Sequence, residues 1–144
     1  MNNLQDSWFW RMHRGEAPPP PVALLLKQRI VRVDLERGEL DAEFEADASF
    51  ANPAGHVQGG MLAAMLDALT ASVVDASLQA GERVASLNLN VSFLKAAQIG
   101  PVQGRAHLVR KGRAVAHASA ELRQGETAVA SATAVCMVVP SPGR

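Results

Sequence analysis

Cysteine is nearly absent from this chain of 144 residues, in which Cys136 is the only one. A single thiol cannot form a disulfide within the chain, and it cannot build a zinc or iron–sulfur site that needs several cysteines. The sequence also lacks a cluster of His, Asp and Glu at the spacing of metal ligands, so we expect no metal and no separate cofactor. A reducing compartment fits this composition.

The chain also lacks net charge and a long apolar run. Its 14 Lys and Arg residues balance its 14 Asp and Glu residues, so binding to nucleic acid or to an acidic membrane is not indicated. Asp67 and Asp75 interrupt the most apolar stretch well short of the roughly 20 residues that a membrane span needs. The N-terminus lacks the features of a signal peptide. We therefore expect a cytoplasmic protein without a membrane segment, whose partner is a small molecule.

The length and the breaker residues predict one domain with short ends. Residues 1–21 form a lead segment with a short helix around its aromatic residues, closed by a run of prolines. We expect its aromatic cluster to plug an edge of the core. The domain itself is predicted to cover residues 22–140, and residues 141–144 form a C-terminal tail.

Apolar periodicity predicts the elements of this domain. Residues 28–34 and 39–46 read as strands, and in the second strand apolar residues alternate strictly with acids. A helix is predicted from 59 to about 79, and the period then returns to two in four further runs, at 87–93, 102–109, 114–122 and 127–139. This order predicts an α+β fold, in which a curved antiparallel sheet packs on one central helix.

The predicted helix is apolar on most of its sides. One sheet covers only about half of a helix, and the chain has no spare element for the remaining face. A second copy of the chain is then the natural cover, so the sequence predicts a homodimer, or a dimer of dimers.

One carboxylate, Asp67, lies in the middle of this apolar helix, and two glycines, Gly59 and Gly60, begin it. The glycines leave backbone N–H groups uncovered at the positive end of the helix dipole, where a negative oxygen can bind. Asp67 follows Gly59 by eight residues, or roughly 12 Å along the axis, so one substrate carbonyl cannot touch both. Antiparallel packing of two helices would bring Asp67 of one subunit beside Gly59 of the other.

Each of these residues also has a purely structural interpretation. An aspartate on an apolar helix can serve a buried hydrogen bond, and paired glycines often mark tight packing or a turn. Asn52 precedes a proline and could be only a turn former, and His56 could be an ordinary loop residue. The conjunction of all four features is what favours a functional site.

The run Asn-Pro-Ala-Gly-His-Val-Gln-Gly-Gly at 52–60, followed by Asp67, resembles the hotdog-fold acyl-CoA thioesterases, in particular the phenylacetate-pathway (PaaI-type) branch. Those enzymes carry His-Gly-Gly at a helix start and an Asp or Glu seven residues after the second Gly, as Asp67 follows Gly60. The resemblance extends over 30–139 and implies the hotdog fold. It implies that Asp67 is the nucleophile or general base, that Gly59 N–H serves the oxyanion hole and that Asn52 positions the acyl group or the water.

Two departures from that pattern affect the chemistry. Gln58 stands where the family has His, and a His lies two positions earlier as His56. Gln58 can hydrogen-bond a thioester carbonyl or orient a water, but it cannot exchange a proton near neutral pH. The hydroxyl residue one turn after the carboxylate is replaced by an alanine flanked by Thr70 and Ser72. We expect Gln58 to join the catalytic group, and His56, Gly60 and one hydroxyl, taken as Thr70, to contact substrate.

Arg110, Lys111 and Arg113 form a basic cluster on a predicted hairpin turn. Such a cluster is often only a solvated turn, but coenzyme A carries several phosphate charges that must be held outside the cleft. The predicted activity is hydrolysis of an aryl, short-chain or medium-chain acyl-CoA. The alternative, favoured by Gln58, is a hotdog domain that binds acyl-CoA without hydrolysing it. A dehydratase would need a His–Asp pair that the sequence does not place.

Overall fold

Six antiparallel strands and one long helix account for most of the chain in this computed structural model, which describes residues 4–141. The strands are β1 (Arg29–Asp34), β2 (Glu39–Ala46), β3 (Glu82–Phe93), β4 (Gly100–Lys111), β5 (Val115–Gln124) and β6 (Thr127–Pro140). The helices are α1 (Trp8–His13), α2 (Pro21–Leu25) and the long α3 (Gly59–Asp75). The strands form one sheet in the order β1-β2-β4-β5-β6-β3. The predicted α+β architecture is confirmed.

The core lies between α3 and the inner face of the sheet. In β2 the apolar residues are buried alternately, as the sequence predicted. Small side chains on β4, β5 and β6 let the sheet approach the helix closely, and Gly104 is the extreme case. A Cβ atom on Gly104 would lie 2.5 Å from Leu69 Cδ1, so any larger residue at this position would force the buried Leu69 side chain to shift.

The long helix ends earlier than the sequence predicted, at Asp75 instead of near residue 79. Ser77 Oγ donates a hydrogen bond to Val74 O at 2.7 Å, and Leu78 N–H donates to Asp75 O, so the chain tightens into a turn. Within residues 4–141, no helix is long and apolar enough to cross a membrane.

The lead segment packs against the end of α3. Phe9 is buried in the core, and Trp10 Nε1 donates a hydrogen bond to Ala76 O at 3.0 Å. The expected plugging of a core edge is therefore confirmed for Phe9, whereas Trp8 stays half exposed. The short helix α2 was not predicted, because its five residues are too few to display a period; Pro21 begins it with a preset φ.

Strand β3 forms one edge of the sheet and pairs only with β6. A bulge between Ser86 and Asn88 leaves Leu87 outside the regular pairing. Leu89 and Val91 pack against the core, but Leu87 and Phe93 are exposed. The sequence pattern had grouped all four in one alternating run. The edge therefore presents both unpaired backbone groups and apolar side chains to the outside.

Candidate active site

The loop before α3 is organised by Asn52. Its side-chain oxygen accepts hydrogen bonds from the N–H groups of Ala54 at 3.0 Å and His56 at 3.1 Å, and its own N–H donates to His56 O. Asn52 thus has the turn-forming role that is typical of Asn before proline. His56 is half-buried and contributes backbone atoms to the same turn. The turn holds the chain that leads into the first residues of the helix.

The start of α3 exposes backbone donors. Gln58 is the N-cap residue, is exposed, and makes no side-chain capping bond. The N–H groups of Gly59 and Gly60 belong to the first turn and so have no acceptor within the helix. A Cβ atom on Gly60 would meet nothing within 4 Å, but one on Gly59 would lie 3.1 Å from the Phe93 ring. Gly60 faces open space, and Phe93, which the sequence did not single out, packs on Gly59.

The carboxylate of Asp67 is oriented by a residue of the edge strand. Ser86 Oγ donates a hydrogen bond to Asp67 Oδ1 at 2.9 Å. Ser86 lies opposite Cys136 on β6, and the buried thiol has its pKa raised by burial, against the smaller effect of a hydrogen bond with Ser86. Sequence reasoning missed Ser86, because the contact joins residues in different elements.

Asp67 lines a cavity of about 500 Å³ between α3 and the lead segment. Its walls include Trp8 and Phe9 on the lead side and Ala68 and Ala71 on the helix side. A larger hollow of about 1020 Å³ lies on the outer face of the sheet, among exposed ion pairs such as Arg105–Asp41, and contains none of the predicted site residues. We therefore assign the candidate site to the smaller cavity, since it contains Asp67.

The two hydroxyl residues beyond Asp67 have different environments. Thr70 is fully buried, and its Oγ1 donates to the backbone carbonyls of Leu66 and Asp67 at 3.1 and 3.2 Å. Its hydroxyl is thus used by the helix itself. Ser72 lines the cavity and accepts a hydrogen bond from Gln28 Nε2 at 3.2 Å. Of the two hydroxyls, only Ser72 is in position to touch a ligand in this cavity.

A second carboxyl group, Asp75, lines the same cavity two turns further along α3. Burial raises the pKa of Asp75 to about 7, although the Val84 N–H donates a hydrogen bond to it. The sequence showed Asp75 only as a charge in an apolar stretch. The sequence did carry a signal for this residue, because an acid at the C-terminal end of an apolar helix opposes the helix dipole.

The basic cluster of Arg110, Lys111 and Arg113 is exposed where β4 turns into β5, as predicted. Lys111 Nζ donates a hydrogen bond to Ser77 O at 2.8 Å, which places this cluster near the C-terminal end of α3. Gly59 begins the same helix of 17 residues, so the two lie roughly 25 Å apart along the axis in one chain.

One subunit brings together some of the predicted residues and leaves others apart. Asn52, His56, Gln58, Gly59 and Gly60 gather at the start of α3, whereas Asp67 lies in its middle. Within residues 4–141, no three His, Cys, Asp or Glu side chains are grouped closely enough to hold a metal ion.

Comparison with known proteins identifies the family to which this fold belongs. The model of the acyl-CoA thioesterase N-terminal domain matches residues 31–137. A phenylacetic acid degradation-related protein of Ralstonia eutropha is 52% identical, with 90% of this chain and 98% of that chain covered and a TM-score of 0.89. A thioesterase family protein of Silicibacter pomeroyi is 23% identical, with 92% and 99% covered and a TM-score of 0.81. No curated protein matches the chain.

The PaaI protein of the E. coli phenylacetic acid degradation operon is similar in fold alone, at 17% identity over 92% of this chain and 94% of that chain, with a TM-score of 0.80. One helix wrapped by a curved antiparallel sheet, shared with these proteins, defines a hotdog-fold domain of the PaaI type. The chain belongs to the acyl-CoA thioesterase family and is a thioester hydrolase.

Proposed function

We propose that this thioesterase hydrolyses an aryl, short-chain or medium-chain acyl-CoA, and that Asp67 acts on the thioester. The observation that supports this role most directly is the position of Asp67, with its carboxylate on an apolar cavity and one oxygen held by Ser86. The hydrogen bond restricts the carboxylate and leaves Oδ2 for chemistry. A fixed base beside an apolar acyl site is what general-base or nucleophilic catalysis requires.

The active site is composite, with each cleft shared by two subunits. Gly59 and Asp67 are too far apart along one helix for a single carbonyl group. The edge strand β3 supports a dimer, because its free backbone groups and its exposed Leu87 and Phe93 suit pairing with a second β3. Antiparallel packing of the two α3 helices then sets Asp67 of one subunit beside Gly59 of the other.

The reaction assigns one task to each group. Asp67 takes a proton from water, and the resulting hydroxide adds to the thioester carbon while the carbonyl oxygen becomes negative. Backbone N–H groups at Gly59 and Gly60 stabilise that oxygen, with Gln58 as a further amide donor. The carbon–sulfur bond then breaks, the proton passes to the thiolate, and free acid and coenzyme A leave. Direct attack by Asp67, with an anhydride that water opens, uses the same groups.

The basic cluster holds the phosphates of coenzyme A at the mouth of the cleft. Arg110, Lys111 and Arg113 are exposed, and their long side chains can adapt to several charges. Antiparallel helices bring the C-terminal end of one α3 toward the glycine end of the other.

Thiol release from a panel of short, medium, long and aryl acyl-CoAs tests the activity, with wild type and Asp67→Ala measured side by side. We expect hydrolysis of one acyl class and a loss of at least a hundredfold in the variant. If the wild type bound acyl-CoA without turning over any member of the panel, the non-hydrolytic alternative would replace this proposal.

Co-expressed heterodimers test the shared site. Asp67→Ala and Gly60→Val should each be inactive alone, but a mixed dimer restores one complete cleft out of two. We expect up to half of the wild-type activity in purified heterodimers. Inactive heterodimers made from folded subunits would show that each cleft uses one chain only.

A further inference from the structure

The cavity beside α3 contains a carboxyl group that the thioesterase chemistry does not use. Asp75 is largely buried at the last residue of α3, where the negative end of the helix dipole disfavours a carboxylate. Burial is the dominant influence on its pKa, and the smaller opposing influence is the hydrogen bond from the Val84 N–H. A buried carboxyl group that opposes the helix dipole, inside a cavity, is typical of a binding position.

Two further polar groups lie at the same end of the cavity. Ser72 precedes Asp75 by three residues, so the two side chains are neighbours on one face of the helix. Gln28 reaches Ser72 from the start of β1 through its hydrogen bond of 3.2 Å. All three side chains line the cavity. This cluster of Asp75, Ser72 and Gln28 is called the distal polar cluster below.

The helix wall between Asp67 and the distal polar cluster is apolar. Ala68 and Ala71 form the helix side, and their small side chains leave room that larger ones would fill. Trp8 and Phe9 form the opposite side. Along the helix wall the cavity is therefore polar at two ends and apolar between them, which is the pattern of a site for a ligand with a functional group at each end.

The separation of the two ends determines the length of such a ligand. Asp67 and Asp75 are eight residues apart, or roughly 12 Å along the helix axis. With carbon–carbon bonds of about 1.5 Å, an extended chain of octanoyl length covers most of this separation. A ligand whose thioester lies at Asp67 can thus place the end of a medium-length acyl chain at Asp75.

The distal polar cluster favours an uncharged hydrogen-bonding group. Because burial raises the pKa of Asp75 to about 7, its carboxyl both donates and accepts hydrogen bonds near neutral pH. Ser72 and Gln28 add a hydroxyl and an amide. A terminal methyl group would offer no acceptor to the protonated Asp75 carboxyl, and a terminal carboxylate would be repelled by the fraction of Asp75 that is ionised. A hydroxyl group accepts from the Asp75 carboxyl and can join the hydrogen bond between Gln28 and Ser72 without adding charge.

We propose that Asp75, with Ser72 and Gln28, forms a subsite for a hydroxyl group at the far end of a medium-length acyl chain. The natural substrate class is then an ω-hydroxyacyl-CoA. This inference rests on the proposed function, because it takes the thioester of that chain to lie at Asp67.

The test compares kcat/KM for ω-hydroxyoctanoyl-CoA and octanoyl-CoA, which differ only at the distal end. We expect the wild type to prefer the hydroxylated ester by about tenfold or more, because a site built for a hydroxyl rejects the analogue that lacks it. Asp75→Leu should reverse the preference, and Asp75→Asn, which keeps a neutral hydrogen-bonding group of the same shape, should retain it. Asp34→Leu, at the end of β1 and outside the cavity, is the matched control and should behave as wild type.

The other outcomes test the distal subsite and the thioesterase proposal separately. Hydrolysis of both esters at equal rates, or a preference that survives in Asp75→Leu, would overturn the subsite and leave the thioesterase proposal intact. A stronger preference for ω-aminooctanoyl-CoA would show that Asp75 binds a cation instead. If neither octanoyl ester is hydrolysed, calorimetric binding of the two esters to wild type and Asp75→Leu decides the subsite separately: tighter binding of the hydroxylated ester by the wild type alone supports it, and equal binding overturns it.

Discussion

Ser86 Oγ donates a hydrogen bond to Asp67 Oδ1 at 2.9 Å, which joins the edge strand β3 to the middle of the central helix. The two residues are separated by 19 positions in the sequence. Because Ser86 stands immediately before the bulge in β3, the local bend of the strand decides where its hydroxyl points.

We predict that Ser86→Ala lowers kcat by about tenfold with little change in KM, since a carboxylate that is free to rotate is less often in position. Kinetics of thiol release at limiting and saturating substrate measure KM and kcat separately. Ser86→Thr, which keeps the hydroxyl group, should restore kcat. Ser92→Ala, an exposed serine on the same strand, is the control; an equal loss of kcat in Ser92→Ala would contradict the assignment.

The two glycines at the start of α3 should respond differently to alanine. A methyl group on Gly60 enters open space and favours the helix by about 0.5–1 kcal/mol, so Gly60→Ala should be as stable as wild type or more so. If substrate approaches this end, the same methyl group should lower kcat/KM by at least tenfold. Thermal unfolding and thiol release measure the two effects separately. Full activity in Gly60→Ala would place the substrate elsewhere.

Gly59→Ala should instead perturb packing, because its methyl group would lie 3.1 Å from the Phe93 ring. Phe93 is 57% exposed, so its ring can move aside and the loss of stability should be modest, about 1 kcal/mol. In the double variant Gly59→Ala, Phe93→Ala the clash is gone. Its loss of stability should therefore be smaller than the sum of the two single losses, which a double-mutant cycle by urea unfolding measures. Additive losses would show that the contact with Phe93 is not the cause.

Charge reversal of the basic cluster should affect coenzyme A recognition alone. We expect Arg110→Glu with Arg113→Glu to raise KM for acyl-CoA by about tenfold or more, because attraction to phosphate becomes repulsion. Turnover of a short N-acetylcysteamine thioester, which has no phosphate, should remain nearly unchanged. Arg37→Glu, at an exposed turn between β1 and β2, is the matched control. Equal losses for both substrates would contradict the assignment.

The raised pKa of Asp75 predicts how stability depends on pH. Its pKa is about 7 in the folded protein and near its ordinary 3.8 when unfolded, so between these values the unfolded chain holds fewer protons. Stability from this group is therefore full below about pH 4, falls as pH rises toward 7, and stays reduced above it. The loss is on the order of a few kcal/mol, since one pKa unit corresponds to about 1.4 kcal/mol.

Asp75→Asn should remove this dependence and raise the melting temperature at pH 8 while changing it little at pH 4. The charged and titratable residues that face Asp75 across the two adjoining cavities are unchanged in this variant, and they are His13, Arg29, Asp67, Glu82 and Arg83. A difference between variant and wild type that is the same at both pH values would mean that titration of Asp75 is not responsible.

Local sequence was sufficient to determine the order of the six strands and the long helix, and the position of Asp67 on that helix. Alternating apolar residues define β2 because each strand residue faces the side opposite to its neighbour, and an apolar helix with one carboxylate is visible without coordinates. The start of α3 at Gly59 followed from the same local pattern. Its end did not, because hydrogen bonds of Ser77 and Leu78 close the last turn early.

The environment of each side chain was decided only by the tertiary structure. Thr70 and Ser72 are two positions apart, yet one points into the core and the other onto the cavity, as the packing of α3 dictates. Ser86 meets Asp67, and Asp75 loses its water, because the sheet and the lead segment fold over the helix. Periodicity reports which face of an element is apolar, whereas a contact between distant elements depends on register, bulges and packing angle.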